Sequence, residues 1–191
     1  MSIRGRLTVC LDSNVFGWAL KVRSDEHPEK SKRSRRLVAM LVKQNATLII
    51  PTVVLGEVLT DCTIEERDAV SHAIANHFTI ADYTQQAASL AADFLRTYPY
   101  RDSVHKGIVP RGVIKADIMV AASAKVAGCG IVYSDDAAMR KICREMGLQG
   151  LELPELNSED LFESAGQIPV LADPLVISSE RRIKRKPLPP R

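Results

Sequence analysis

The stretch Lys115–Met139, KADIMVAASAKVAGCGIVYSDDAAM, constrains the chain most tightly. It reads as an apolar helix, a turn at Gly128 and Gly130, a short strand over Ile131–Tyr133 and a turn carrying Asp135 and Asp136. Between Ile114 and Ala127 almost every residue is apolar or small, yet Asp117 sits among them. A helix that is apolar on all sides is a buried one, and an unpaired carboxylate inside it is very costly. A cation is the economical partner. Asp135 and Asp136 follow a strand, and the ligands of open α/β sheets bind outside the carboxyl ends of the strands. Acids in equivalent places elsewhere in the chain would complete such a site.

Leu7–Leu11 alternates Leu7, Val9 and Leu11 with Thr8 and Cys10, which predicts a first strand ending at Asp12. Ser13 and Asn14 are good helix starters, and a short helix bearing the single tryptophan, Trp18, follows. Arg23–Arg36 reads as a charged, proline-containing loop running into a helix over Leu37–Val42. Ala46–Ile50 is the second strand and Thr52–Thr60 the next helix, with Glu57 as its one acid. Thr63 and Glu66 have the spacing of a capping box that opens a helix to about Asn76. Phe78–Ile80 suits a short third strand, Thr84–Tyr98 an amphipathic helix, Ala137–Met146 a late helix and Leu151–Leu153 a last strand. This alternation predicts βαβ units, hence an α/β protein with a mainly parallel sheet of about five strands covered on both faces, a three-layer α/β/α sandwich.

The 191 residues suit one domain over residues 1–155 with a polar, proline-rich and basic extension over 156–191. A net charge of +3 is too small to argue for nucleic acid by itself. Cys10, Cys62, Cys129 and Cys143 are widely spaced among apolar neighbours, which fits buried thiols in a reducing compartment better than a disulfide or zinc framework. With no signal peptide or membrane span to be read, the expected location is cytoplasmic, away from membranes.

Asp12 after the first strand, Glu57 after the second, Asp117 in the apolar helix and Asp135 and Asp136 after the fourth strand can all face one crevice. Converging carboxylates raise one another's pKa values unless a multivalent cation neutralises them. Oxygen donors suit Mg²⁺ or Mn²⁺, whereas zinc favours His and Cys. Hard cations held by acids suit phosphoryl transfer.

The segments VCLDSNVF, PTVVLGEVL, KADIMVAASA and IVYSDDAAM resemble, in order and spacing, the four acidic motifs of PIN-domain nucleases, most of all the VapC-like toxin branch, over roughly Leu7–Leu153. The resemblance implies a metal-dependent endoribonuclease, a homodimer, and a protein antitoxin as partner. It also implies Asp12 and Asp117 as metal ligands, Glu57 as the second acid, and Ser13 and Asn14 as support for the first. In the last motif Ser134 is followed by two acids, and either Asp135 or Asp136 fits the ligand position; Tyr133 is an alternative hydroxyl residue, so the register stays open. The loop Tyr98–Lys115 supplies Arg101, Lys106, Arg111 and Lys115 as candidates for holding RNA phosphates. Two rivals stand beside this reading. A haloacid-dehalogenase-type phosphatase wants a second acid where this chain has Asn14. A scaffold that binds RNA or protein without catalysis keeps the fold and dispenses with the acids.

Overall fold

The computed structural model describes residues 6–20, 27–97 and 111–155. Five strands form one sheet: β1 (Thr8–Leu11), β2 (Thr47–Pro51), β3 (Thr79–Ala81), β4 (Ile131–Tyr133) and β5 (Gln149–Leu151). Their spatial order is β3-β2-β1-β4-β5 and every pairing is parallel. β1 is the centre: Val9, Cys10 and Leu11 are wholly buried, as strands covered on both faces must be. From β1 the chain moves outward to β2 and β3, then returns to β4 and β5 on the other side. The carboxyl end of β1 is therefore the point where the strand order reverses, which is where an open α/β sheet leaves a crevice.

The helices are α1 (Ser13–Ala19), α2 (Pro28–Lys43), α3 (Thr52–Thr60), α4 (Ile64–His77), α5 (Gln85–Thr97), α6 (Arg111–Val126) and α7 (Ala137–Glu145). α1 packs against α2, and α6 packs against α5 and α7; the right-handed crossover that parallel strands require sets these two groups on opposite faces of the sheet. The α/β/α layering expected from the alternation is thus present. α6 is buried nearly all round over Ile118–Ala124, while Gly112, Val113 and Lys115 in its first turns are exposed. The capping box of α4 is formed in both directions: Thr63 N–H donates to Glu66 Oε2 at 2.7 Å and Glu66 N–H donates to Thr63 Oγ1 at 3.3 Å. All four cysteines are buried thiols. Among the described residues no helix is long and apolar enough to cross a membrane.

Two expectations are corrected. The charged stretch before Leu37 is a helix from Pro28 onward, not a loop. Pro28 sits at the first helical position, where a missing N–H costs nothing, and the buried side of α2 is made of Ser31, Ser34, Leu37, Val38 and Leu41. Small serines pack there as apolar residues would, so the basic side chains dominate the sequence without breaking the helix. The last strand lies at Gln149–Leu151, earlier than Leu151–Leu153. Gly147, at φ 78°, stops the chain of α7 in the left-handed region and sends it directly into the sheet. Residues 156–191 lie outside the described residues.

β5 crosses α7 at Gly150, where a Cβ would stand 2.4 Å from the carbonyl oxygen and 2.8 Å from the Cα of Arg140. Backbone cannot yield as a flexible side chain does. Gly150→Ala is expected to destabilise the fold by about 1–3 kcal/mol, the usual cost of overpacking. Gly130→Ala, whose Cβ would meet nothing within 4 Å, is expected to stay within about 0.5 kcal/mol of wild type. Chemical denaturation of the two variants checks the contrast.

Candidate functional site

Asp12 emerges from the carboxyl end of β1 and is buried, with 8% of its surface exposed. It is the N-cap residue of α1: its Oδ1 accepts a 2.7 Å hydrogen bond from Ser13 N–H. Capping does not exhaust it, because Oδ2 accepts a 2.7 Å bond from the hydroxyl of Ser134, at the end of β4. The backbone pins the same place, with Asp12 N–H donating to the Tyr133 carbonyl at 3.0 Å. Burial raises the Asp12 carboxyl above the ordinary carboxylate range, against the pull of the Ser134 and Ser13 hydrogen bonds, and the charges of Glu57 and Asp136 push it up further.

Asp117 is half-buried on α6, and its carboxyl is pushed up to about 7, first by burial and then by the charges of Asp12, Asp136 and Glu57. Glu57 is exposed on α3, one residue before the buried Val58 that anchors the helix. It stands at the rim, yet its charge reaches both Asp12 and Asp117. Asp136 is exposed too and caps α7: its Oδ1 accepts from Ala138 N–H at 2.6 Å and Met139 N–H at 3.2 Å. Its own N–H donates to Ser134 Oγ at 3.0 Å. One hydroxyl thus joins Asp12 to Asp136.

The fold therefore brings Asp12, Glu57, Asp117 and Asp136 into one electrostatic neighbourhood. Asp135 is not among the charges acting on Asp12 or Asp117; its Oδ2 accepts a 2.6 Å bond from Lys30. Of the two acids that follow Ser134, Asp136 caps α7 and adds its charge to this neighbourhood, and Asp135 pairs with α2. Ser13 is buried and supports Asp12 through its amide, while Asn14 is half-buried within α1. Arg101 and Lys106 lie outside the described residues, as does the side chain of Arg111. Lys115 is exposed, and two positions along a helix put it about 200° round α6 from Asp117. It does not share that face.

Sequence reasoning missed three residues that hold the turn after β4 and the chain after β5. Arg140 donates from Nη1 to the Ser134 carbonyl at 2.9 Å and pairs with Glu152 at 3.3 Å. Lys30 holds Asp135, and Arg33 donates to the carbonyls of Leu153 and Pro154. No local pattern marks Lys30 and Arg33, since each acts across more than a hundred residues. Lys30 and Arg33 belonged to a basic run that reads only as positive charge.

Among the described residues, no three His, Cys, Asp or Glu side chains close into a ligand cluster. A hard cation fits the donor set nonetheless. Every candidate ligand is a carboxylate oxygen, Asp12 and Asp117 are held with raised pKa values, and Mg²⁺ takes one or two carboxylates while keeping several waters.

The raised Asp117 carboxyl has a consequence for stability. A carboxyl whose folded pKa exceeds its unfolded value keeps its proton longer in the folded state, so the folded state loses ground as pH rises between the two values. For Asp117 that window runs from its ordinary value of 3.8 to about 7. In EDTA, Asp117→Asn should therefore gain thermal stability relative to wild type as pH is raised from 4 to 7, with no further gain above. Melts of both proteins across that range measure it; a constant difference between them would contradict the assignment of Asp117 to a crowded acidic site.

No curated protein matches the sequence. Among solved structures, the chain is similar to VapBC2 from Rickettsia felis bound to a DNA fragment from their promoter, at 16% identity and a TM-score of 0.53, over 78% of this chain and 100% of that one. It is also similar to DNA-bound VapBC from Salmonella typhimurium, at 18% identity and a TM-score of 0.49, over 78% of this chain and 99% of that one. The PIN domain family model matches residues 9–145, most of the described fold and all four acidic segments. The chain belongs to the PIN-domain family.

Proposed function

We propose that the protein is a Mg²⁺- or Mn²⁺-dependent endoribonuclease, the toxin of a toxin–antitoxin pair, with Asp12 and Asp117 as metal ligands. Glu57 and Asp136 complete the acidic pocket, and Ser134, Ser13 and Asn14 support it. The observation that carries the reading is the crowding itself: Asp12 and Asp117 are raised by burial and by the same neighbouring acids. A fold does not gather four carboxylates at the switch point of its sheet for stability, because their mutual repulsion destabilises it. A divalent ion, when bound, supplies the positive charge that keeps these acids ionised and stabilises charge developing on a phosphodiester. The protein's own part is to hold the carboxylates. The Ser134 hydroxyl and Ser13 amide fix both oxygens of Asp12, leaving each one further lone pair to share.

The phosphatase rival is disfavoured by Asn14, which stands two positions after Asp12, where that chemistry wants a second acid. RNA as substrate, an antitoxin as partner and a homodimer rest on the sequence resemblance to VapC-like toxins. The four buried thiols favour action in the cytoplasm. Arg101, Lys106, Arg111 and Lys115 remain the proposed phosphate-holding residues, Lys115 from the side of α6 away from Asp117.

The test is cleavage of a mixed single-stranded RNA by wild type and Asp117→Asn, each with Mn²⁺ and with EDTA. Wild type should cleave only with Mn²⁺, and the variant should lose more than about a hundredfold, the upper end of what changes around a metal's ligands cost. The variant's stability at neutral pH, expected to match or exceed wild type, separates lost chemistry from lost folding. Cleavage that survives EDTA, or an Asp117→Asn protein as active as wild type, would sink the proposal.

A further inference from the structure

Two adjacent carboxylates leave the end of β4, and the fold sends them to different places. Asp136 caps α7 and its charge acts on Asp12 and Asp117. Asp135 instead accepts a 2.6 Å hydrogen bond from Lys30 Nζ, a residue 105 positions earlier on α2. The Lys30 head is itself held: it lies 4.9 Å from the centroid of the Trp18 ring, and an ammonium over an indole face is attracted by the ring's quadrupole. Trp18 is 3% exposed and meets the His27 ring edge-on at 5.7 Å, so the platform under Lys30 is part of the packed α1–α2 layer. Ser31, next along α2, donates its hydroxyl to the Trp18 carbonyl at 2.8 Å and ties that layer further.

One turn on, Arg33 donates to the carbonyls of Leu153 and Pro154 and pairs with Glu155 at 3.2 Å. α2 therefore grips the two segments that leave this side of the sheet: the turn after β4 through Lys30 and the chain after β5 through Arg33. At the bend after β4 the two acids diverge, Asp135 to Lys30 and Asp136 to the first amides of α7. With Asp135 drawn to α2, Asp136 is left on the side of the acidic pocket.

We propose that Lys30 is a positioning residue that selects which acid of the Ser134-Asp135-Asp136 turn serves the site: by holding Asp135 against α2 it makes Asp136 the fourth acid beside Asp12, Glu57 and Asp117. The effect on catalysis rests on the nuclease reading; the effect on the turn does not. Without the Lys30 ammonium, two neighbouring carboxylates repel with no cation between them, and the turn loses its tie to the α1–α2 layer. The hydrogen bonds that depend on the turn are those of the Asp136, Ala138 and Met139 amides.

Lys30→Met, Lys30→Arg, Asp135→Asn and the Lys30→Met/Asp135→Asn double variant test this by amide hydrogen exchange and RNA cleavage. Lys30→Met and Asp135→Asn should each speed exchange at those three amides about tenfold or more, with little change in the central sheet. Each should lower kcat on the order of tenfold at unchanged KM, and the double variant should be no worse than either single one, because the pair acts as a unit. Lys30→Arg, which keeps the charge and the ring contact, should restore both readouts.

Wild-type exchange at the turn in Lys30→Met overturns the proposal, as does an unchanged kcat in either single variant when wild type cleaves. A rise in KM in Lys30→Met alone would make Lys30 an RNA contact, and faster exchange across the whole sheet would make it a folding residue; both overturn the positioning role. If wild type cleaves no RNA, the nuclease reading falls, and the exchange rates still decide what Lys30 does.

Discussion

The candidate site is built round one buried carboxylate. Asp12 stands where β1, the central strand, gives way to α1, at the place where the strand order of the sheet reverses. Burying it costs free energy that two hydrogen bonds only partly offset, which is why its proton is held more tightly than an ordinary aspartate's. Replacing it with an apolar residue would remove the cost, and a fold selected for stability alone would do so. The remaining acids deepen the cost, because Glu57 and Asp136 act on Asp12 with the same sign of charge.

The neighbouring elements are arranged to hold that unfavourable group still. Ser134 is wholly buried and uses one hydroxyl twice, donating to Asp12 and accepting from the Asp136 amide. Arg140 fixes the Ser134 carbonyl from α7, and Gly150 lets β5 pass close enough to α7 for the Glu152 pair to form. The result is a rigid strand end carrying charge. Rigidity of this kind is what a site needs when its ligands must stay in place through the binding and release of an ion.

Much of this was legible in the residues. Strand–helix alternation was enough for a parallel α/β sheet, and Thr63 with Glu66 announced their capping box. Asp117 was visible because an acid among alanines and isoleucines contradicts its surroundings. What escaped was encoded at a distance. α2 was hidden because its buried side relies on Ser31 and Ser34, which carry no apolar signal, and because five of the seven residues Lys30–Arg36 are basic. The divergence of Asp135 and Asp136 was invisible for a related reason, since Lys30, the partner of Asp135, lies more than a hundred residues away. Local pattern reports on burial and turns; it does not report on which partner a charge will meet.

An anomalous difference map from crystals grown with millimolar Mn²⁺ would put the account to its plainest trial. A peak is expected at about 2.0–2.2 Å from carboxylate oxygens of both Asp12 and Asp117, the bonding distance for a small hard divalent ion. Manganese bound elsewhere while both carboxylates remain without it, or a map with no peak at all, would contradict the claim that these acids are gathered to hold a metal.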